Sequence, residues 1–168
     1  ETVKENKILW NIKSNAMTFF LTEGYENLET DEQYPKLRTV GIKYRTIDKK
    51  VWAETGSKLV LLGLDLFPKE ENTVYITEGE IDFLTLKELG YKNCVSVPSG
   101  TSNFDWVEYN KYFLENREII LCYDNDDAGR KAEEKAIKKL QGIAKNIKVI
   151  NLNYDGDIND VLMNCGVT

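Results

Sequence analysis

From residue 74 onward, apolar runs and helical stripes alternate regularly. Val74–Thr77 reads as a strand, and Ile81–Leu89 as a helix closed by Gly90, a residue suited to a C-terminal cap. Asn93–Val97 is the next strand, turned by Pro98-Ser99-Gly100. Asp105–Leu114 fits a helix whose apolar faces carry Trp106, Val107, Tyr109, Tyr112 and Phe113. Ile119–Tyr123 is a third strand. Asp127–Gln141 is the clearest helix, with Ala128, Ala132, Ala136 and Leu140 on one stripe and lysines elsewhere. Ile147–Leu152 is a fourth strand, and Ile158, Val161, Leu162 and Cys165 follow helical spacing before Gly166. Alternating βα units of this length imply a parallel sheet with right-handed crossovers.

The earlier residues are less regular. Ile8-Leu9-Trp10 and Met17–Leu21 are apolar enough for short strands, while residues 22–33 are acidic and loop-like. Thr39–Arg45 alternates strictly, with Val40, Ile42 and Tyr44 on one side and Lys43 and Arg45 on the other. Asp48-Lys49-Lys50 makes a hairpin turn into Val51-Trp52-Ala53. Lys58–Leu66 is a buried strand or a short helix, and periodicity does not decide which. Pro68–Asn72 is a polar break that divides a strand-rich, basic subdomain at 1–70 from an α/β domain at 71–168.

Composition narrows the class. Hydrophobic content of 42% and charged content of 30% are those of a globular protein. No run approaches a membrane span and no signal peptide is visible, so the expected compartment is cytoplasmic. Cys94 and Cys122 fall inside predicted strands without CxxC spacing, which favours buried thiols over a disulfide or zinc site. The absence of histidine removes Ser-His-Asp and Cys-His chemistry and histidine-ligated metals. The chain starts without methionine and reads as a piece of something larger. Residues 1–70 balance eleven basic against eleven acidic side chains, so 71–168 carries the whole net charge of −6. Within Lys36–Lys58 the balance reverses, with seven cations against Asp48 and Glu54. A basic patch beside an acidic half suits a polyanionic substrate.

Three of the strands end in acids: VYITEGEID to Asp82, EIILCYDND to Asp126, and NIKVINLNYDGD to Asp157. At the carboxyl edge of a parallel sheet, where ligands bind in such folds, these ends would form one cluster. Glu78-Gly79 with Asp82 one turn later is also what a tight turn and an acidic first helical turn present. An extended backbone through Asn125 would set Asp124 and Asp126 side by side, a repulsive pair that a hard divalent cation such as Mg²⁺ resolves. A calcium loop fails, because Ala128 and Lys135 stand where ligands are required. A solvated helix cap explains Asp124–Asp127 as well, and Asp157 with Asp160 fits a capping box. Lys43 and Arg45 read most simply as the wet face of an edge strand.

The order EGEID, SVPSG, CYDNDDAGR, GDIND closely resembles the Toprim domain, the catalytic α/β module of primases, topoisomerases and some nucleases. GIKYRTIDKKVWAETGSKLVLLGLDLF is similar to the subdomain preceding Toprim in primases, most closely in phage-type primase–helicases and twinkle. The resemblance spans about residues 39–163. It implies an α/β fold, a Rossmann-like parallel sheet flanked by helices after a small strand-rich primase subdomain. It implies Glu78 as the catalytic glutamate, Asp124 and Asp126 as a metal-binding pair, and Asp82 and Asp157 as supporting acids, for two Mg²⁺ or Mn²⁺ ions. Lys43, Arg45 and Lys58 would neutralise phosphates. One departure is Gly156, which stands where the family's last motif carries lysine. The implied activity is metal-dependent, template-directed synthesis of RNA primers by a DNA primase or primase–helicase. The implied partners are single-stranded DNA, ribonucleoside triphosphates and a replicative helicase domain in the same or another chain. The alternatives are a Toprim nuclease and a non-catalytic single-stranded DNA-binding module of a helicase. A topoisomerase is disfavoured because its tyrosine-bearing domain is not visible.

Overall fold

Alternation near the N-terminus builds an antiparallel sheet in the computed structural model, which describes residues 1–24, 37–100, 103–150 and 157–165. After a single turn α1 (Thr2–Glu5), the strands β1 (Leu9–Asn11), β2 (Ala16–Gly24), β3 (Leu37–Arg45) and β4 (Val51–Ala53) pair in that order. The β3–β4 turn closes with Thr46 N–H donating to the Lys50 carbonyl at 2.9 Å, and Lys49 adopts φ 66° there. The acidic loop expected over 22–33 lies mostly outside the described residues.

From Gly41 on, past a register shift opposite Leu21 and Thr22 that leaves Val40 packed against the Phe19–Leu21 side, the faces of β3 are the reverse of what alternation predicts. Gly41 and Lys43 are buried, while Val40, Ile42 and Tyr44 are half-exposed. Lys43 is only 5% exposed, and β3 lies inside the sheet between β2 and β4, so neither the wet face nor the edge position holds for it. A buried ammonium persists only with a counter-charge, and Glu80 supplies it.

The Lys58–Leu66 stretch is neither a regular strand nor a helix along its length. It crosses as extended chain from the first sheet to a second one. Lys58 N–H donates to the Val40 carbonyl at 2.8 Å, and Leu62 exchanges backbone hydrogen bonds of 2.9 and 3.1 Å with Ser96. One 3₁₀ turn, Leu64–Leu66, follows. The centre of the crossing stretch, Leu59–Leu62, is apolar because it is buried on both sides: Leu61 joins one core, and Val60 and Leu62 join another.

The second sheet is parallel, as the βα rhythm requires. Strands β5 (Thr73–Thr77), β6 (Cys94–Ser96), β7 (Glu118–Cys122) and β8 (Asn146–Val149) lie in the order β6-β5-β7-β8. The helices α2 (Glu80–Glu88), α3 (Asp105–Tyr109), α4 (Lys111–Leu114), α5 (Asp127–Leu140) and α6 (Ile158–Cys165) complete it. The single helix expected over Asp105–Leu114 is broken at Asn110. Its buried Nδ2 donates to the Trp106 carbonyl at 2.6 Å, a side-chain bond that competes with the helical ladder. The end of the fourth expected strand, Leu152, lies outside the described residues, as does Gly156.

Strand periodicity sorts the two cores. Val74, Ile76, Ile119 and Leu121 face one layer, together with Trp106 and the alanine stripe Ala132–Ala136–Leu140 of α5. Burying the Trp106 side chain contributes roughly 3 kcal/mol. The opposite face packs Cys94 and Cys122 against Phe83 and Leu86 of α2 and against Phe19 and Leu21 of β2. This second core seats the antiparallel sheet on the α2 side of the parallel one. Cys94 and Cys122 are free buried thiols, each pushed by burial to about 12.

Candidate functional site

Strands β5 and β7 are hydrogen-bonded neighbours, with Thr77 opposite Cys122, so the residues that follow them emerge together. After β5 the chain passes Glu78 and Gly79 into α2, and a Cβ on Gly79 would lie 2.9 Å from Asp82 Oδ2. The short turn therefore packs onto the acid one turn later. After β7 come Asp124 and then α5, where a Cβ on Gly129 would lie 2.1 Å from the Asp124 carbonyl oxygen. Only glycine lets that first turn rest against the strand end. Asp126 caps α5, its Oδ1 accepting from Gly129 N–H at 2.7 Å. Asp157 opens α6 in a reciprocal box: Asp160 N–H donates to Asp157 Oδ1 at 2.7 Å, and Asp157 N–H to Asp160 Oδ2 at 3.2 Å.

The structure brings together Asp82, Asp124 and Asp157, each offering a carboxylate oxygen within 4.8 Å of the other two. Glu78 lines the same cleft. Asp126 lies near enough to raise both Glu78 and Asp124, but it is exposed and its Oδ1 serves the helix cap. Burial, then the charges of Asp157 and Asp124, push Asp82 up to about 7. Burial and the Asp124 charge likewise push Glu78 to about 7. Asp124 itself rises to about 6 through burial and its acidic neighbours, with Lys49 pulling the other way. Glu78 Oε2 and Asp82 Oδ1 are buried without a hydrogen-bond partner among the described residues. Oxygen donors that repel one another and lack partners fit a hard divalent cation, which relieves both conditions.

The same cleft, of about 580 Å³, is also lined by Lys43, Arg45 and Lys49. Lys43 Nζ is ion-paired to Glu80 Oε1, and Arg45 Nη1 lies 3.5 Å from Glu80 Oε2. Lys58 stands outside this lining. It pairs with Glu23 at 2.6 Å and covers the Tyr109 ring at 5.2 Å. Sequence reasoning passed over Glu80 and Lys49. Glu80 is one more acid in a crowded motif, and only the tertiary fold reveals its partners. Lys49 sat in a turn whose direction the sequence does not give.

Comparison with known proteins gives a consistent set. The family described as Toprim-like matches residues 75–162. A primase homolog protein of Arabidopsis thaliana is 30% identical over 147 residues, covering 76% of this chain and 43% of the relative. The Twinkle homolog protein, chloroplastic/mitochondrial, of Arabidopsis thaliana is 31% identical over 118 residues, covering 60% of this chain and 16% of the relative. The chain thus spans less than half the length of these relatives. The crystal structure of the primase fragment of the bacteriophage T7 primase-helicase protein aligns with TM-score 0.70 and 29% identity, over 98% of this chain and 64% of that one.

Proposed function

The chain belongs to the Toprim-like family, and from that premise we propose that it is the catalytic core of a DNA primase or primase–helicase, joining ribonucleotides into primers on single-stranded DNA. The observation that carries this reading is a convergent acid cluster, Asp82, Asp124 and Asp157, in one cleft with Arg45 and Lys49. That is the charge arrangement for holding a cation and a polyphosphate together. Primase-type relatives and the T7 primase fragment support it.

In the reaction, the primer 3′ hydroxyl attacks the α-phosphate of the incoming nucleotide and pyrophosphate leaves. Asp82, Asp124 and Asp157 would hold a divalent cation; Glu78 and Asp126 are the candidates for completing a second site. When bound, such ions supply charge stabilisation for phosphoryl transfer and lower the pKa of the attacking oxygen. Glu78, its Oε2 buried without a hydrogen-bond partner among the described residues, would be the base for the hydroxyl proton where it does not itself hold the second ion. Arg45 and Lys49, which line the same cleft, neutralise the triphosphate and template phosphates. The template, the ribonucleotides, a helicase domain and the cytoplasmic setting belong to this proposal. No helix among the described residues is long and apolar enough to cross a membrane.

The test is incorporation of labelled ribonucleotides on a single-stranded template by the full-length polypeptide with Mg²⁺ or Mn²⁺. Template-dependent products lost on chelation support the reading. Shortening of the template would favour the nuclease, and binding without either reaction the helicase-associated module.

A further inference from the structure

Two residues beyond Glu78 and two before Asp82, Glu80 is buried in the first turn of α2, 2% exposed. Its two oxygens reach across to β3, Oε1 to Lys43 Nζ and Oε2 to Arg45 Nη1 at 3.5 Å. The contact joins the antiparallel sheet to the helix that follows β5, and all three residues line the acidic cleft. We propose that Glu80 is a positioning residue that locks β3 onto the Glu78–Asp82 turn, and that Lys43 serves this lock instead of contacting phosphate. The inference rests on the reading of the cleft as a metal and phosphate site.

A buried ammonium is sustained by its counter-charge, and removing one partner of such a pair leaves the other stranded. To meet a phosphate in the cleft, Lys43 would abandon a carboxylate that has almost no access to water. Arg45 is in a different position. Its side chain is 20% exposed, and its one contact with Glu80 is long. A guanidinium has five N–H donors, so Arg45 can keep that contact and still offer donors to the cleft. The turn that Glu80 anchors carries Glu78 on one side and Asp82 on the other. Release of the lock would therefore move both acids relative to Asp124.

The experiment compares wild type, Lys43→Met, Glu80→Gln and the double variant, each as the full chain. Melting temperature in chelator, Mn²⁺ affinity, and the salt dependence of binding to a single-stranded oligonucleotide are measured. Each single change should lower the melting temperature by about 10 °C and weaken Mn²⁺ binding about tenfold, as loss of a group supporting metal ligands does. The double variant should recover at least half of both losses. The salt slope of Lys43→Met should stay at the wild-type value, whereas a lysine on phosphate would lower it by about 0.7. Strictly additive losses, or a slope reduced by that amount, would overturn the proposal. If a single variant does not fold, the double decides: a folded double supports the lock and an unfolded one overturns it. Wild type that binds neither Mn²⁺ nor oligonucleotide would instead sink the primase reading, and the melting-temperature cycle would still decide the pairing.

Discussion

Replacing Asp124 by Asn removes one charge from the acid cluster at nearly constant volume. In the metal-free protein that charge is a burden, because burial and the neighbouring Asp157 and Asp126 hold the carboxyl at about 6 against an ordinary 3.8. Fully converted, that gap is roughly 3 kcal/mol of unfavourable free energy in the ionised form at pH 7. The side chain is only half-buried, so water screens much of it, and about 1 kcal/mol is the realistic gain for Asn. For a folded-state pKa that is raised, the stability is whole below the unfolded value and is lost as pH rises through about 6. Asp124→Asn should therefore melt about 3 °C higher than wild type in chelator at pH 7, with the advantage gone near pH 4. With millimolar Mn²⁺ the order should reverse, because the variant has lost a ligand from the triad. Primer synthesis should fall by at least ~100-fold, as for a group acting mainly in the transition state. Thermal melts at both pH values, with and without Mn²⁺, read the first three expectations. A lower melting temperature in chelator at pH 7 would refute the electrostatic reasoning, and full primer synthesis would remove Asp124 from the mechanism.

The same acids make wild-type stability in chelator decline as pH rises from the ordinary carboxylate range through about 7 and level off above it, since Glu78 and Asp82 hold their protons to about 7 only in the folded protein; the Mn²⁺-induced rise in melting temperature should grow over that range, and a flat profile would contradict it. Gly129→Ala forces a Cβ to 2.1 Å from the Asp124 carbonyl and should cost on the order of 3 kcal/mol or more while disabling Mn²⁺ binding, read by denaturant melts and metal titration. Arg45→Ala and Lys58→Met should each lower the salt slope of single-stranded DNA binding by about 0.7 if the side chain meets phosphate. Lys58→Met should cost at most ~1 kcal/mol in stability, because its pair with Glu23 is partly exposed, and an unchanged slope would leave that lysine a structural role only.

The parallel sheet was legible because its central strands are apolar runs and α5 carries a clear apolar stripe, so local pattern and tertiary burial agree there. The acidic edge was legible for the same reason, since strand ends in a βα array converge by topology. Pattern alone does not show which oxygens of that cluster lie closest together. Asp124 and Asp126 look like the natural pair and do lie close enough to interact, while β7 stops at Cys122 and α5 begins so soon that Asp126 Oδ1 also caps it. Asp82 and Asp157, which look like helix-start acids, complete the trio with Asp124. The β3 strand misled because an ion pair can bury a polar face, and alternation counts only apolar residues. That inversion makes a prediction that hydrophobic alternation would order the other way. With Gly41 on a wet face and Ile42 in the core, Gly41→Ala would be harmless and Ile42→Thr expensive. In the folded protein a Cβ at Gly41 meets the Lys58 carbonyl oxygen at 2.8 Å and Ser57 Cβ at 3.0 Å, inside the seam where the crossing segment pairs with β3. Backbone there cannot yield without loosening the Lys58–Val40 hydrogen bond, so overpacking should cost about 2 kcal/mol. Ile42 is half-exposed on the outer face, and a β-branched threonine keeps the strand preference, so its cost should be near 1 kcal/mol or less. Denaturant midpoints of the two variants decide the matter: Ile42→Thr the more damaging of the pair would mean that β3 presents its apolar face inward after all.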